Sequence, residues 1–129
     1  MSLKIYILED NKERISSFKK LLIGHDVFIS DNVKDFISRI EKEDQEIDLM
    51  FLDHDLGDMV YVDVDNKNTG SEVSRWLSKN KKNINNIIIH SLNTVGQKYM
   101  FDYLHEYYNV QIIPFIWLKN VFDKFVNIE

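Results

Sequence analysis

The chain has 129 residues, 44% of them hydrophobic, and a formal net charge of −5. That is one domain's worth of sequence with too much apolar material for disorder, and its negative charge excludes a whole-surface electrostatic grip on nucleic acid. There are no cysteines, which excludes a disulfide framework, a thiolate nucleophile and a cysteine zinc site.

No apolar stretch approaches the ~20 residues of a membrane span. The N-terminus lacks the basic region and apolar core of a signal peptide, so a cytoplasmic location without membrane association is expected. No linker or internal repeat divides the chain, so residues 1–129 read as a single domain. Lys79, Lys81 and Lys82 form a short basic cluster of the kind found at solvated helix ends.

In chain order, apolar strands alternate with amphipathic helices five times. Leu3 to Leu8 reads as a strand ending in Glu9-Asp10. Asn11 caps a helix carrying Ile15, Phe18 and Leu22 on one face, and Gly24 stops it. His25 to Ser30 is a second strand. Asp31 or Asn32 caps a helix with Val33, Phe36, Ile37 and Ile40 inward, and Glu41 to Glu46 form a charged link. Ile47 to Leu52, apolar except for Asp48, reads as a strand buried on both faces. It runs into Asp53-His54-Asp55-Leu56-Gly57.

Gly57 to Thr69 is a long loop holding Asp58, Asp63, Asp65, Asn66 and Asn68. It lacks the spacing and terminal Glu of a calcium loop and reads as a solvated loop or substrate lid. Thr69-Gly70 opens a helix carrying Val73, Trp76 and Leu77. Ile87 to Ile89 is a fourth strand, ending in His90-Ser91-Leu92-Asn93. The fourth helix carries Val95, Tyr99, Met100, Tyr103, Leu104 and Tyr107. Met50, Phe51, Trp76, Tyr99 and Tyr103 read as core or helix-face packing. Val110 to Ile113 is a fifth strand, and the single proline, Pro114, follows it. Val121, Phe122, Phe125 and Val126 stripe the last helix.

This alternation implies right-handed crossovers and an α/β, doubly wound five-stranded parallel sheet of flavodoxin-like order 2-1-3-4-5. The switch point then falls between strands one and three, where open α/β sheets bind their ligands. Glu9-Asp10 and Asp53-His54-Asp55 converge there, and strand four delivers His90, Ser91 and Asn93 to the same rim.

Carboxylates gathered in one pocket repel each other, and a divalent cation removes that penalty. Oxygen ligands suit Mg²⁺, which often shares coordination with a phosphate. Glu9, Asp10 and Asp53 are the expected ligands; Asp55 is a ligand or a turn residue. Taken singly, Asp10 is equally a helix cap. His54 and His90 are candidate proton carriers. His25 and His105 read as structural or solvated.

These residues resemble a response-regulator receiver domain over the whole chain. Glu9-Asp10 matches the receiver's metal-binding acidic pair, Asp53 the phosphoacceptor aspartate, and Ser91 the hydroxyl residue that contacts the phosphoryl group. Two features depart from that pattern. Ile113 stands before Pro114 where the receiver has a lysine, and the loop after Asp53 is longer than the usual turn. Asp53-His54-Asp55-Leu56-Gly57, and His90-Ser91-Leu92-Asn93 with Gly96 and Met100, are similar to a divergent branch, the cyclic-phosphate processing receiver domains. That resemblance implies an Mg²⁺-dependent phosphoesterase acting on cyclic phosphates of nucleotides or nucleic-acid ends.

On that reading His54 and His90 are general acid and base in either order, Asp53 is catalytic as well as a metal ligand, and Ser91 and Asn93 orient phosphate oxygens. The competing readings are a stand-alone receiver phosphorylated on Asp53 by a kinase, and a non-catalytic pseudo-receiver that docks a protein partner.

Overall fold

The strands of this chain alternate with helices, and the sheet grows by parallel pairing. The computed structural model describes residues 2–56 and 63–125. In order it contains β1 (Lys4–Leu8), α1 (Lys12–Leu21), β2 (Asp26–Ser30), α2 (Val33–Lys42), β3 (Ile47–Leu52), α3 (Gly70–Lys79), β4 (Ile84–Ile89), α4 (Thr94–Leu104), β5 (Val110–Ile112) and, after a 3-10 turn at Phe115–Trp117, α5 (Leu118–Phe125). The strands form one parallel sheet in the order β2-β1-β3-β4-β5, as the alternating pattern predicts.

Local chemistry sets the helix starts. Asn11, Asn32 and Asn93 each accept a hydrogen bond from a backbone N–H in the first turn, of Arg14, Asp35 and Gly96 respectively. Thr69 caps α3 without a side-chain bond to the helix; its hydroxyl donates to the Asn66 carbonyl instead. Gly24, at φ +93°, makes the left-handed turn that ends α1, a conformation costly for other residues.

Alternation along the buried strands divides the core in two. Ile5, Ile7, Leu49, Phe51 and Ile88 pack with Phe18 of α1 and with Leu118 and Phe122 of α5. Tyr6, Leu8, Met50, Leu52, Ile87 and Ile89 pack with Phe36 and Ile40 of α2, Val73 and Leu77 of α3, and Met100 and Leu104 of α4. Each fully buried side chain of this size stabilises the fold by about 1.5–3 kcal/mol through its removal from water.

Three elements differ from the sequence reading. β4 begins at Ile84, earlier than expected, because Asn85 and Asn86 bond across to Glu46 and Asn109 at the exposed end of the sheet. α2 runs on to Lys42, into the expected charged link. On α4 only Gly96, Met100 and Leu104 are buried; Val95 and Tyr103 are exposed, and Tyr107, expected on this helix, lies beyond its end and is exposed. Half-buried Tyr99 lies against Tyr103, whose ring centroid is 4.9 Å away, and accepts a hydrogen bond from Arg75. Tyr99 and Tyr103 thus pack on the helix face, one of the two settings expected for them, and not in the core. Val126 and part of the loop expected from Gly57 lie outside the described residues. No described helix is long and apolar enough to cross a membrane.

Candidate functional site

The site follows from strand register. Leu8 pairs with Leu52 and Leu52 with Ile89, while Ile89 pairs with Ile112. One residue further, the chain places Glu9, Asp53, His90 and Ile113 side by side. The ladder continues through this row: Glu9 N–H donates to Ser30, Asp53 to Leu8, His90 to Leu52 and Ile113 to Ile89, at 2.9–3.2 Å. All four share the parity of Ile7, Phe51 and Ile88, so their side chains face α1 and α5.

Glu9, Asp53 and His90 are buried, and each brings a potential ligand atom to within 4.8 Å of the others. His90 Nε2 is 2.9 Å from Glu9 Oε1. The His90 ring is walled by Phe18, Phe51 and Phe115, with centroids 5.6–6.4 Å away. Its Nδ1 has no hydrogen-bond partner among the described residues. Glu9 Oε2 accepts from the N–H groups of Asp10 and Asn11.

Arg14 completes the cluster. Its Nη2 donates to Glu9 Oε2 at 3.2 Å and lies 3.5 Å from Asp53 Oδ2. Its Nε is an ion-pair neighbour of Glu9 Oε1 at 2.9 Å, without hydrogen-bond alignment. Sequence reasoning passed over this residue. The signal was helical period: Arg14, Phe18 and Leu22 are spaced by four, so the buried stripe of α1 leads back to Arg14 at the sheet's rim.

The two carboxylates respond differently to this setting. Burial pushes Asp53 up to about 6, with the negative Glu9 adding to it and the neighbouring His90, Arg14 and the His54 N–H opposing it. Burial alone would raise Glu9 as well. There the interaction with His90, the Asn11 N–H and Arg14 outweigh it and hold Glu9 below the usual range. Asp53 is therefore the carboxylate with an unmet need for positive charge.

The remaining expected site residues are placed elsewhere. His54 and Ser91 follow Asp53 and His90 by one position, and alternation turns them toward α3 and α4. The buried His54 ring packs beneath Gly96, with Nδ1 2.9 Å from Asp55 Oδ1 and 3.3 Å from Asn93 Nδ2. The expected His54–His90 acid–base pair is thus divided between the two faces of the sheet.

Asn93, expected on phosphate, is committed to the fold: its Oδ1 caps α4 at Gly96, and its Nδ2 donates to Asp55 at 3.1 Å. Buried Ser91 accepts from the Asn93 N–H. Asp10 and Asp55, expected as ligands, lie outside the group of Glu9, Asp53 and His90. Asp55 is occupied by His54 and Asn93; Asp10 is half-buried.

Removing the Asn93 cap is expected to cost about 1–2 kcal/mol. Urea unfolding of Asn93→Ala reads this directly, and an unchanged midpoint would refute the capping role.

A fold of this order with acids at the tips of β1 and β3 defines a receiver-like domain. Residues 5–106 match the family described as the cyclic-phosphate processing receiver domain, and the chain belongs to that family. Among solved structures the chain is similar to the phosphorylated cyanobacterial phytochrome response regulator RcpA, with a TM-score of 0.71 and 18% identity over 98% of this chain and 95% of that one. It is also similar to a CheY-like response regulator receiver domain protein from Methanospirillum hungatei JF-1, with a TM-score of 0.63 and 18% identity over 98% and 96%. At such identities these neighbours bear on the fold alone. No curated protein matches the sequence.

Proposed function

We propose that this domain is an Mg²⁺-dependent phosphoesterase that opens cyclic phosphate esters of nucleotides or nucleic-acid ends at the Glu9–Asp53–His90 row. One observation carries the reading: an imidazole held by a carboxylate stands within 4.8 Å of a second carboxylate, and that carboxylate's ionisation is held back up to about 6. An oriented imidazole carries protons near neutral pH. A carboxylate short of positive charge favours a cation beside it.

The donor set fits Mg²⁺. Carboxylate oxygens are hard ligands, and the Arg14 guanidinium, at ion-pair distance from both acids, already stands as a positive charge there. Asp53 and Glu9 would hold the ion, while the imidazole of His90 suits it poorly and stays with Glu9. When bound, Mg²⁺ would neutralise charge developing on the phosphate oxygens.

The chain's own residues do the rest. The Glu9–His90 pair, joined through Nε2, takes a proton from the attacking water as the new P–O bond forms. It returns a proton to the ester oxygen as the old P–O bond breaks, so one water is consumed and one monoester is released. Glu9 steadies the imidazolium between the two transfers. His54, Asp55 and Asn93 tie the segment after β3 to the start of α4, which positions Asp53.

The test is a hydrolysis screen against 2′,3′-cyclic nucleotides and cyclic-phosphate-ended RNA, with Mg²⁺ and with EDTA. Turnover that EDTA abolishes supports the proposal; no turnover of any of these substrates counts against it.

A second reading, phosphorylation of Asp53 in signalling, is favoured by that residue's place at the β3 tip in a receiver fold and opposed by Ile113. Acetyl-phosphate treatment followed by intact mass separates the two. An adduct absent from Asp53→Asn would move the assignment to signalling.

A further inference from the structure

We propose that Arg14 is a built-in cation that occupies the ion position of the Glu9–Asp53 pair, leaves it when a divalent ion binds, and then clamps the substrate's phosphate. This inference rests on the Mg²⁺ reading above.

The geometry is specific. One guanidinium spans two buried carboxylates, contacting Glu9 through Nε and Nη2 at 2.9 and 3.2 Å and Asp53 through Nη2 at 3.5 Å. A divalent ion between the same carboxylates would sit a few ångströms from that guanidinium, and two cations so close repel strongly in a buried site. One of them must move.

Arg14 is able to move. Its side chain is 28% exposed while those of its partners are at 0% and 5%. It projects from the first turn of α1 at the rim, and its other hold is a loose contact over the Phe115 ring, 5.8 Å from the centroid. Once displaced it remains beside the pocket. Its planar fork of N–H donors matches the oxygens of a phosphate, which a carboxylate-bound ion alone would engage on one side. β5 offers no substitute, because the residue it brings to the row is Ile113, packed against the apolar cluster.

A neighbouring unit charge changes the affinity of a carboxylate for a proton by ~1–3 log units. The lower end of that range, about tenfold, is the effect expected for a divalent ion. Mn²⁺ is the probe, titrated at pH 8 into the parent, Arg14→Gln and Arg14→Lys while electron paramagnetic resonance counts the free ion. Arg14→Gln is expected to bind Mn²⁺ about tenfold more tightly than the parent, and Arg14→Lys close to the parent.

Inorganic phosphate is then titrated calorimetrically at saturating Mn²⁺. Here Arg14→Gln is expected to bind at least about tenfold more weakly than the parent. Equal Mn²⁺ affinity in parent and Arg14→Gln would overturn the competition while leaving the metal reading in place. Undiminished phosphate affinity in Arg14→Gln would overturn the clamp. Absence of Mn²⁺ binding in all three proteins would overturn both the inference and the metal reading.

Discussion

Asp53→Asn is expected to make the protein more stable at pH 8 while lowering turnover of a cyclic phosphate by at least about 10²-fold, because metal-assisted charge neutralisation is worth several kcal/mol. The stability gain follows from the cost of burying this carboxylate. Its folded-state value of about 6 lies above the ordinary 3.8, so between these values the native state binds more protons than the unfolded chain. Stability from this group is therefore complete below about pH 4 and is lost as pH rises through 6.

At 1.36 kcal/mol per pH unit the full loss is about 3 kcal/mol, roughly half of it between pH 5 and 8. Asparagine keeps the acceptor oxygen for the His54 N–H, which Asp53 Oδ1 now accepts at 2.8 Å, and carries no charge to desolvate. It also removes the repulsion with Glu9. Thermal unfolding from pH 5 to 8 should fall more steeply for the parent than for Asp53→Asn. Parallel profiles would show that Asp53 ionises freely in the folded protein.

His90→Gln is the companion variant. It keeps a polar partner for Glu9 but cannot carry the proton, and should lose ~10²–10⁴-fold in turnover. Retained activity would remove His90 from the mechanism.

Gly70→Ala is expected to destabilise the fold by about 3 kcal/mol, the upper end of the overpacking range. A methyl group there would lie 2.3 Å from the Asp53 carbonyl oxygen and 2.6 Å from Met100 Sδ. The methionine has rotamers to spare, but the carbonyl does not: Asp53 is pinned by its N–H bond to Leu8, and Gly70 itself donates to the His54 carbonyl. Relief requires α3 to move away from the β3 tip.

Gly96→Ala offers the contrast. Its methyl would meet the His54 ring, 2.5 Å from Cγ, which is a side chain and not backbone. In a His54→Ala background the cost of Gly96→Ala should largely vanish, while the cost of Gly70→Ala should persist. Urea denaturation of the double variants measures this. A loss under about 1 kcal/mol for Gly70→Ala would show that α3 is not held against the strand tip.

Much of the architecture was legible in the sequence because its causes are local. The apolar runs Leu3–Leu8 and Ile47–Leu52, the helical stripes and the Asn11 cap are patterns of a few residues, and they predict the sheet order through the handedness of the crossovers. The ends of β4 and the outward turn of Tyr103 were less legible, because they depend on cross-strand and interhelical partners.

The candidate site divides along the same line. The sequence by itself determined which residues reach the carboxyl rim, since Glu9, Asp53 and His90 each follow directly on a strand. Tertiary structure alone decided which of them face one another. His90 meets Glu9 across 81 positions of sequence through the pairing of β1, β3 and β4, and Arg14 reaches both acids because α1 packs on that face. His54 stands next to Asp53 in the chain but across the sheet from His90 in space, because alternate side chains of an extended strand point to opposite faces.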